Sequence, residues 1–274
     1  MKLCEFAKKQ TILFCIMVCA VFLGLILSLD NLCMNVFTDV YPYIVSMGTE
    51  LIVTIAAVIL LFLSGQITVL KRKGLGVGRG LLSGLYFLII SILAILSNLF
   101  LAVHEGKTLQ PFYLIAAFAV YMICIGLAEE FIFRGIVADL LLKKFGTSKS
   151  GIWKAVFVSG ILFGLSHLVN ILVSDIEGVL VQVVIASMMG MVFAAIYYRC
   201  GNIWAVVMIH ILNDFAADIT NGLFGGGTLT DSISEYSPVK LIACIPYIII
   251  LFILLRKKKI GSIADNMKIK LVTK

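Results

Sequence analysis

Apolar residues in this chain fall into long unbroken runs separated by short polar segments. The runs lie near residues 11–29, 43–64, 80–103, 111–141, 151–173, 178–198, 202–219 and 238–255. Each is long enough, or nearly so, to supply the ~20 residues that a helix needs to cross a bilayer. The pattern predicts an all-α fold: a polytopic membrane helical bundle with about eight transmembrane helices. The first run follows Lys2, Lys8 and Lys9, as the apolar part of a signal peptide would. It is long for that role and shows no clear small-x-small cleavage site, so it reads as a span.

The polar segments test this count. With eight spans, Lys2, Lys8, Lys9, Lys71, Arg72, Lys73, Arg79, Lys143, Lys144, Lys149, Lys154, Arg199 and the basic cluster from Arg256 onward all fall on one side. The other side has only Lys107 and Lys240, and carries Asp30, Asp39, Glu105, Asp175, Glu177, Asp231 and Glu235. The positive-inside rule then places both termini in the cytoplasm. A miscount by one span would scramble the asymmetry. No stretch is left over for a soluble domain, so residues 1–274 read as a single membrane domain.

Composition agrees. The chain is 61% hydrophobic and 14% charged, against about half and a quarter for soluble domains. The surplus must face lipid. A net charge of +7 raises the question of nucleic acid, but the basic residues sit in short loops and no nucleic-acid-reading signature is present. The seven cysteines are odd in number, never spaced C-x-x-C, and mostly inside apolar runs. They read as reduced, buried small apolar residues rather than disulfides or a zinc site. The run Gly74-Leu75-Gly76-Val77-Gly78-Arg79-Gly80 lacks the spacing, the preceding strand and the partner acid of a nucleotide loop, and reads as a flexible basic linker. The loop 220–237, with Gly225, Gly226 and Gly227, is expected to be mobile.

Chemistry must come from polar residues inside the membrane, where ionisable groups are costly and tend to mark sites. The fourth run carries Glu129, Glu130 and Arg134, the fifth His167, and the seventh His210, Asn213, Asp214 and Asp218. At 1.5 Å per residue, Glu129, His167 and Asp214 lie roughly 21, 24 and 21 Å from the inner ends of their helices, with His210 roughly 15 Å up. Glu130 and Arg134 are spaced i, i+4 and can pair on one face; so are His210 and Asp214. Asn213, at i+3 from His210, is an alternative to Asp214. Glu129 points about 100° away from Glu130, so the two acids need not share a role. Asp139 and Asp218, near span ends, are expected to be interfacial. Glu50 is expected to snorkel or face the bundle. Gly160 and Gly164 form a G-x-x-x-G pattern suited to close helix packing.

A carboxylate and an imidazole sharing one water can make it a nucleophile. A second imidazole with an amide or protonated acid can stabilise an oxyanion. The same donors, Glu129, His167 and His210, also suit a divalent metal such as zinc. Both mechanisms fit the sequence.

These residues also carry a family pattern. Glu129-Glu130-Phe131-Ile132-Phe133-Arg134 resembles the EExxxR motif of the CAAX-prenyl-protease and bacteriocin-processing (CPBP, or Abi) family. Phe163 to His167 resembles its FxxxH motif, and His210 to Asp214 its HxxxN or HxxxD motif. The three occur in order on separate helices within about residues 111–219, which is the expected catalytic core.

The resemblance implies an intramembrane protease acting on a membrane-associated peptide or lipidated protein, in CAAX-type or bacteriocin- or leader-type processing. It implies that Glu129 activates water with His167, that His210 and the residue at Asp214 stabilise the oxyanion, and that Glu130 and Arg134 support the first motif helix. Many members have Asn where this chain has Asp214. A charged Asp cannot donate to an oxyanion, so it would be protonated, orient His210, bind metal, or yield to Asn213. Membrane lipid and a peptide or lipidated substrate are the expected partners, and a bacterial plasma membrane the expected location. A catalytically silent immunity or scaffolding protein would show a lost motif residue, and none is lost. A proton-coupled transporter would show an internal repeat or broken helices, and neither is evident in the sequence.

Overall fold

The computed structural model describes residues 3–226, 233 and 236–267, and its described residues are all-helical, without strands. Asp231, Glu235, the last glycine of the Gly225–Gly227 run, and Lys268, Lys270 and Lys274 lie outside the described residues. A short helix α1 (Leu3–Lys9) leads into α2 (Thr11–Val36) and α3 (Pro42–Leu63). After a 3-10 turn over Ile67–Lys71 come α4 (Val77–Ser83) and α5 (Leu85–His104). α6 (Phe112–Glu130) continues through a π-helical stretch, Phe131–Ala138, into α7 (Asp139–Phe145). Then follow α8 (Lys149–Ser166), α9 (Ile176–Cys200), α10 (Ile203–Phe224) and α11 (Cys244–Leu254), with two single-turn helices, α12 (Lys257–Ile260) and α13 (Ile263–Asn266), as the last described elements.

Seven of the described helices are long and apolar enough to cross a membrane. Pro238–Leu254 becomes an eighth when taken with the segment Lys257–Asn266, which bends away from it by 60°. The spans coincide with the eight runs in the sequence, and the chain is a multi-pass membrane protein. Large apolar side chains such as Phe62, Phe100, Leu82 and Phe252 stand exposed on the outer surface, where only lipid makes their exposure favourable.

Local chemistry sets the helix ends. Ser148 accepts from the Gly151 N–H at the start of α8, Asp175 from Glu177 and Gly178 at the start of α9, and Asn202 from Trp204 at the start of α10. Each side chain satisfies a donor that the first helical turn leaves open. Gly201 stops α9 in the left-handed conformation, at φ 63°. Both described chain ends lie at one end of the bundle: Cys4 packs on Gly65, the Asn266 amide donates to the Arg199 carbonyl, and the Met267 sulfur lies 3.7 Å from Arg72.

Two helices meet closely where glycine permits it. A Cβ on Gly160 would come within 2.7 Å of the Met191 nitrogen and the Ser187 oxygen of α9, and one on Gly164 would meet the Val183 carbonyl. The G-x-x-x-G pair thus packs the backbones of α8 and α9 together.

Three sequence expectations are corrected. Asp139 is buried in protein rather than open at a span end: it pairs with Arg72 at 2.7 Å and Lys143 at 2.6 Å and accepts from the Tyr197 hydroxyl at 3.1 Å. Burial opposes the charge on Arg72, but Tyr197 and Asp139 outweigh it and raise its pKa above the ordinary value. Asp218 is also buried, with the Tyr43 hydroxyl donating to it at 2.6 Å and Asn221 at 2.8 Å. The glycine run is a built turn rather than a loose linker. Leu75 N–H donates to the Cys200 carbonyl at 2.7 Å, Asn202 donates to the Lys73 carbonyl at 3.1 Å, and a Cβ on Gly74 would strike the Cys200–Gly201 backbone. Glu50 faces the bundle, largely buried. All seven cysteines are free.

Candidate active site

The helix pair α6 and α10 brings the first and third motifs together, and a small residue makes that possible. A Cβ on Gly126 would lie 2.5 Å from the Ile211 side chain and 3.3 Å from its backbone nitrogen. Glu130 stands one turn further along the same face of α6, opposite His210, which precedes Ile211. Glu130 Oε1 lies 2.7 Å from His210 Nδ1 and accepts from Arg134 Nη1 at 2.8 Å. Glu130 and Arg134 are fully buried and His210 nearly so.

Aromatic rings and one carbonyl complete the setting of the arginine. Its guanidinium carbon lies 4.5 Å from the Phe163 ring centroid and 5.2 Å from that of Phe193, and Nη2 donates to the Gly190 carbonyl at 3.4 Å. Planar guanidinium stacked on rings is a favourable way to keep a charge out of water. Gly190 carries no side chain because a Cβ there would lie 2.8 Å from Phe163. The same two phenylalanines flank His210, with centroids at 5.9 and 5.3 Å. The π-helical turns begin directly after Glu130. Their wider winding leaves carbonyls seeking donors, and the Tyr198 hydroxyl meets one of them, donating to Ala138 at 2.7 Å.

The remaining nitrogen of His210 faces two more carboxylates. Nε2 is 3.6 Å from Glu129 Oε2 and 3.4 Å from Asp214 Oδ2. These separations exceed a formed hydrogen bond, and one N–H cannot serve two acceptors well. The two acids are also more open than Glu130: their side chains are 21% and 18% exposed, against 0% for Glu130. The neighbouring glutamates, a hundred degrees apart on their helix, therefore flank one imidazole from its two nitrogens.

His167 stands at the other side of Phe163, ring centroid 5.1 Å away. Its Nδ1 is 3.0 Å from the Phe163 carbonyl. A carbonyl only accepts, so Nδ1 carries the proton and Nε2 is left with its lone pair. His167 lies within electrostatic reach of Asp214 and His210, but no direct contact joins it to Glu129. Asn213 turns its amide nitrogen toward the Met189 sulfur, at 3.9 Å.

The donor types suit a divalent metal, but their placement does not. Among the described residues no three of the His, Cys, Asp and Glu side chains are grouped so as to hold a metal ion. Glu129, His167 and His210 do not form such a set.

Two contributors were not visible in the sequence. Phe193 and Gly190 belong to no motif; only their contacts across α9 reveal them. Phe163 is different, since it opens the FxxxH pattern, and its contacts with Arg134 and both histidines give that position a physical reason.

The fold and this cluster define a class: a polytopic helical membrane protein with an ion-paired polar site sealed among its spans. Residues 110–216 match the family described as type II CAAX prenyl endopeptidase, Rce1-like. The resemblance read from the three motifs is thereby borne out over the segment that contains them all, from Glu129 to Asp214. The matched family is one of CAAX-type intramembrane proteases acting on peptide or protein substrates. Neither curated proteins nor solved structures give a match.

Proposed function

We propose that this protein is an intramembrane endopeptidase that hydrolyses a peptide bond of a membrane-associated peptide or protein, by water activated on Glu129 and His167. Residues 111–219 form its catalytic core within one membrane domain. Its place is a bacterial plasma membrane, with both termini cytoplasmic, by the distribution of Lys and Arg and by the habit of the resembled family. CAAX-type processing is the substrate class that the family match supports, and bacteriocin- or leader-type processing is the alternative that the resembled family offers.

The observation that carries this reading is the unequal burial of the two adjacent acids. Glu129 is 21% exposed and free of arginine, whereas Glu130 is closed off by Arg134 and His210. Glu129 is the carboxylate that can meet water and substrate. It takes a proton from the water while the His167 Nε2 lone pair accepts the second O–H. The water oxygen bonds to the carbonyl carbon, and the carbonyl electron pair moves onto its oxygen. His210 Nε2–H donates to that oxyanion, with Nδ1–H fixed on Glu130. On collapse the C–N bond breaks and Glu129 returns its proton to the leaving amine, so one water and one peptide give one acid and one amine.

Asp214 then has a defined task. As an acceptor beside Nε2 in the free site it helps orient the His210 ring until the oxyanion takes that N–H, a role that needs no proton of its own. Donors fixed in a dry site act more strongly on developing charge than the same donors in water.

Peptide mass spectrometry on membranes carrying the protein or its Glu129→Gln variant tests the reading, with prenylated and unprenylated peptides and a chelator arm. Cleavage should fall by roughly 10²-fold or more in the variant and persist with chelator. Identical product profiles with and without Glu129 would refute a protease, and chelator-sensitive cleavage would refute the metal-free route.

A further inference from the structure

A cavity of about 470 Å³, lined by none of the candidate active-site residues, opens at the basic end of the bundle where α1, the α3 terminus and α7 meet. Its size falls within the range of small-ligand pockets. Lys8, Lys143 and Lys144 line it together with Thr11, Ser64 and Gln66. Among the described residues no acidic side chain lines it.

The three lysines are not equivalent. Lys143 pairs with Asp139 at 2.6 Å and donates to Gln66 Oε1 at 2.8 Å, so its charge is largely answered. Lys8 and Lys144 have no ion-pair partner among the described residues. Gln66 is 6% exposed, and its carbonyl is committed to Lys143. Two ammonium groups without an ion-pair partner, around a cavity that no described acidic side chain lines, call for an anion.

We infer that this cavity binds the phosphate headgroup of an anionic phospholipid. Position favours lipid over a free ion. Ser64 follows directly on Phe62 and Leu63, and Thr11 directly precedes Ile12, and all three of these apolar residues are exposed on the outer face. A headgroup held by the lysines would let its acyl chains lie along those side chains. The site also sits where the span ends meet the headgroup layer, the setting in which basic pockets between membrane helices take lipid phosphates. The inference is independent of the hydrolytic reading.

Native mass spectrometry of the full chain in detergent tests it, with phosphatidylglycerol, phosphatidylcholine and inorganic phosphate as separate probes. Phosphatidylglycerol should be retained in preference to phosphatidylcholine. Lys8→Gln and Lys144→Gln should each weaken retention about fivefold. Lys257→Gln with Lys258→Gln, at exposed positions of the same basic end, should leave it unchanged. Both variants are of exposed residues, and an unaltered unfolding temperature in phosphatidylcholine micelles confirms that they fold. Equal retention of the two lipids, equal losses in both pairs of variants, or phosphate binding that phosphatidylglycerol does not displace would each overturn the proposal.

Discussion

Replacing Arg134 with Met isolates what the buried ion pair does. Arg134 and Glu130 are both 0% exposed, and their N–O distance is 2.8 Å. Met fills much of the same volume between Phe163 and Phe193 but carries no charge, so Glu130 keeps only His210 as a partner. Removing one member of a buried pair costs about 3–5 kcal/mol, because the other charge stays in a medium that cannot solvate it. His210 offsets part of that, so the low end, about 3 kcal/mol, is expected. Adding Glu130→Gln should restore most of the loss, since replacing both members of a buried pair is often nearly neutral. The assay is a denaturant-linked unfolding equilibrium in mixed micelles on the two single variants and the double. A coupling of about 2–3 kcal/mol between the positions supports the pairing. Additive effects, or a loss under 1 kcal/mol for Arg134→Met alone, would refute the reading that the arginine holds Glu130 in place.

Other outcomes follow from single contacts. Gly160→Ala should destabilise by about 1–3 kcal/mol in the same assay, because its Cβ would fall within 2.7 Å of the α9 backbone. Gly24→Ala, in α2 with nothing within 4 Å of the new carbon, should stabilise by up to about 1 kcal/mol. Asp214→Asn should keep cleavage within about tenfold, because the amide oxygen still accepts from His210, whereas Asp214→Ala should lose about 10²-fold; equal losses in the two would refute an orienting role. Tyr43→Phe should cost about 1–3 kcal/mol by taking a donor from buried Asp218, and a neutral result would show that the remaining contacts of Asp218 suffice.

Most of the membrane architecture was legible in the sequence because bilayer crossing is a local requirement. A run must be apolar for about twenty residues whatever its neighbours are, and the basic residues between runs record the side on which each loop stays. The polar positions within the spans were legible for the same reason: Glu129, Glu130, Arg134, His167, His210 and Asp214 stand out against an apolar background, and i, i+4 spacing already pairs Glu130 with Arg134. The sequence by itself thus determined the class of fold, the number of spans and the set of residues from which a site could be built.

The tertiary structure decided how those residues divide their work. Spacing alone treats Glu129 and Glu130 as neighbours of equal standing; only the approach of α10 across Gly126 buries one against His210 and leaves the other open. Asp139 and Asp218 looked interfacial because depth along a helix says nothing of what crosses beside it, and their partners Arg72 and Tyr43 come from segments 67 and 175 residues away. Phe193 and Gly190 matter through contacts across α9 that no local pattern encodes. Hydropathy is a property of a segment and can be read one helix at a time, but the burial of a charge and the partner that answers it belong to pairs of helices and exist only once they pack.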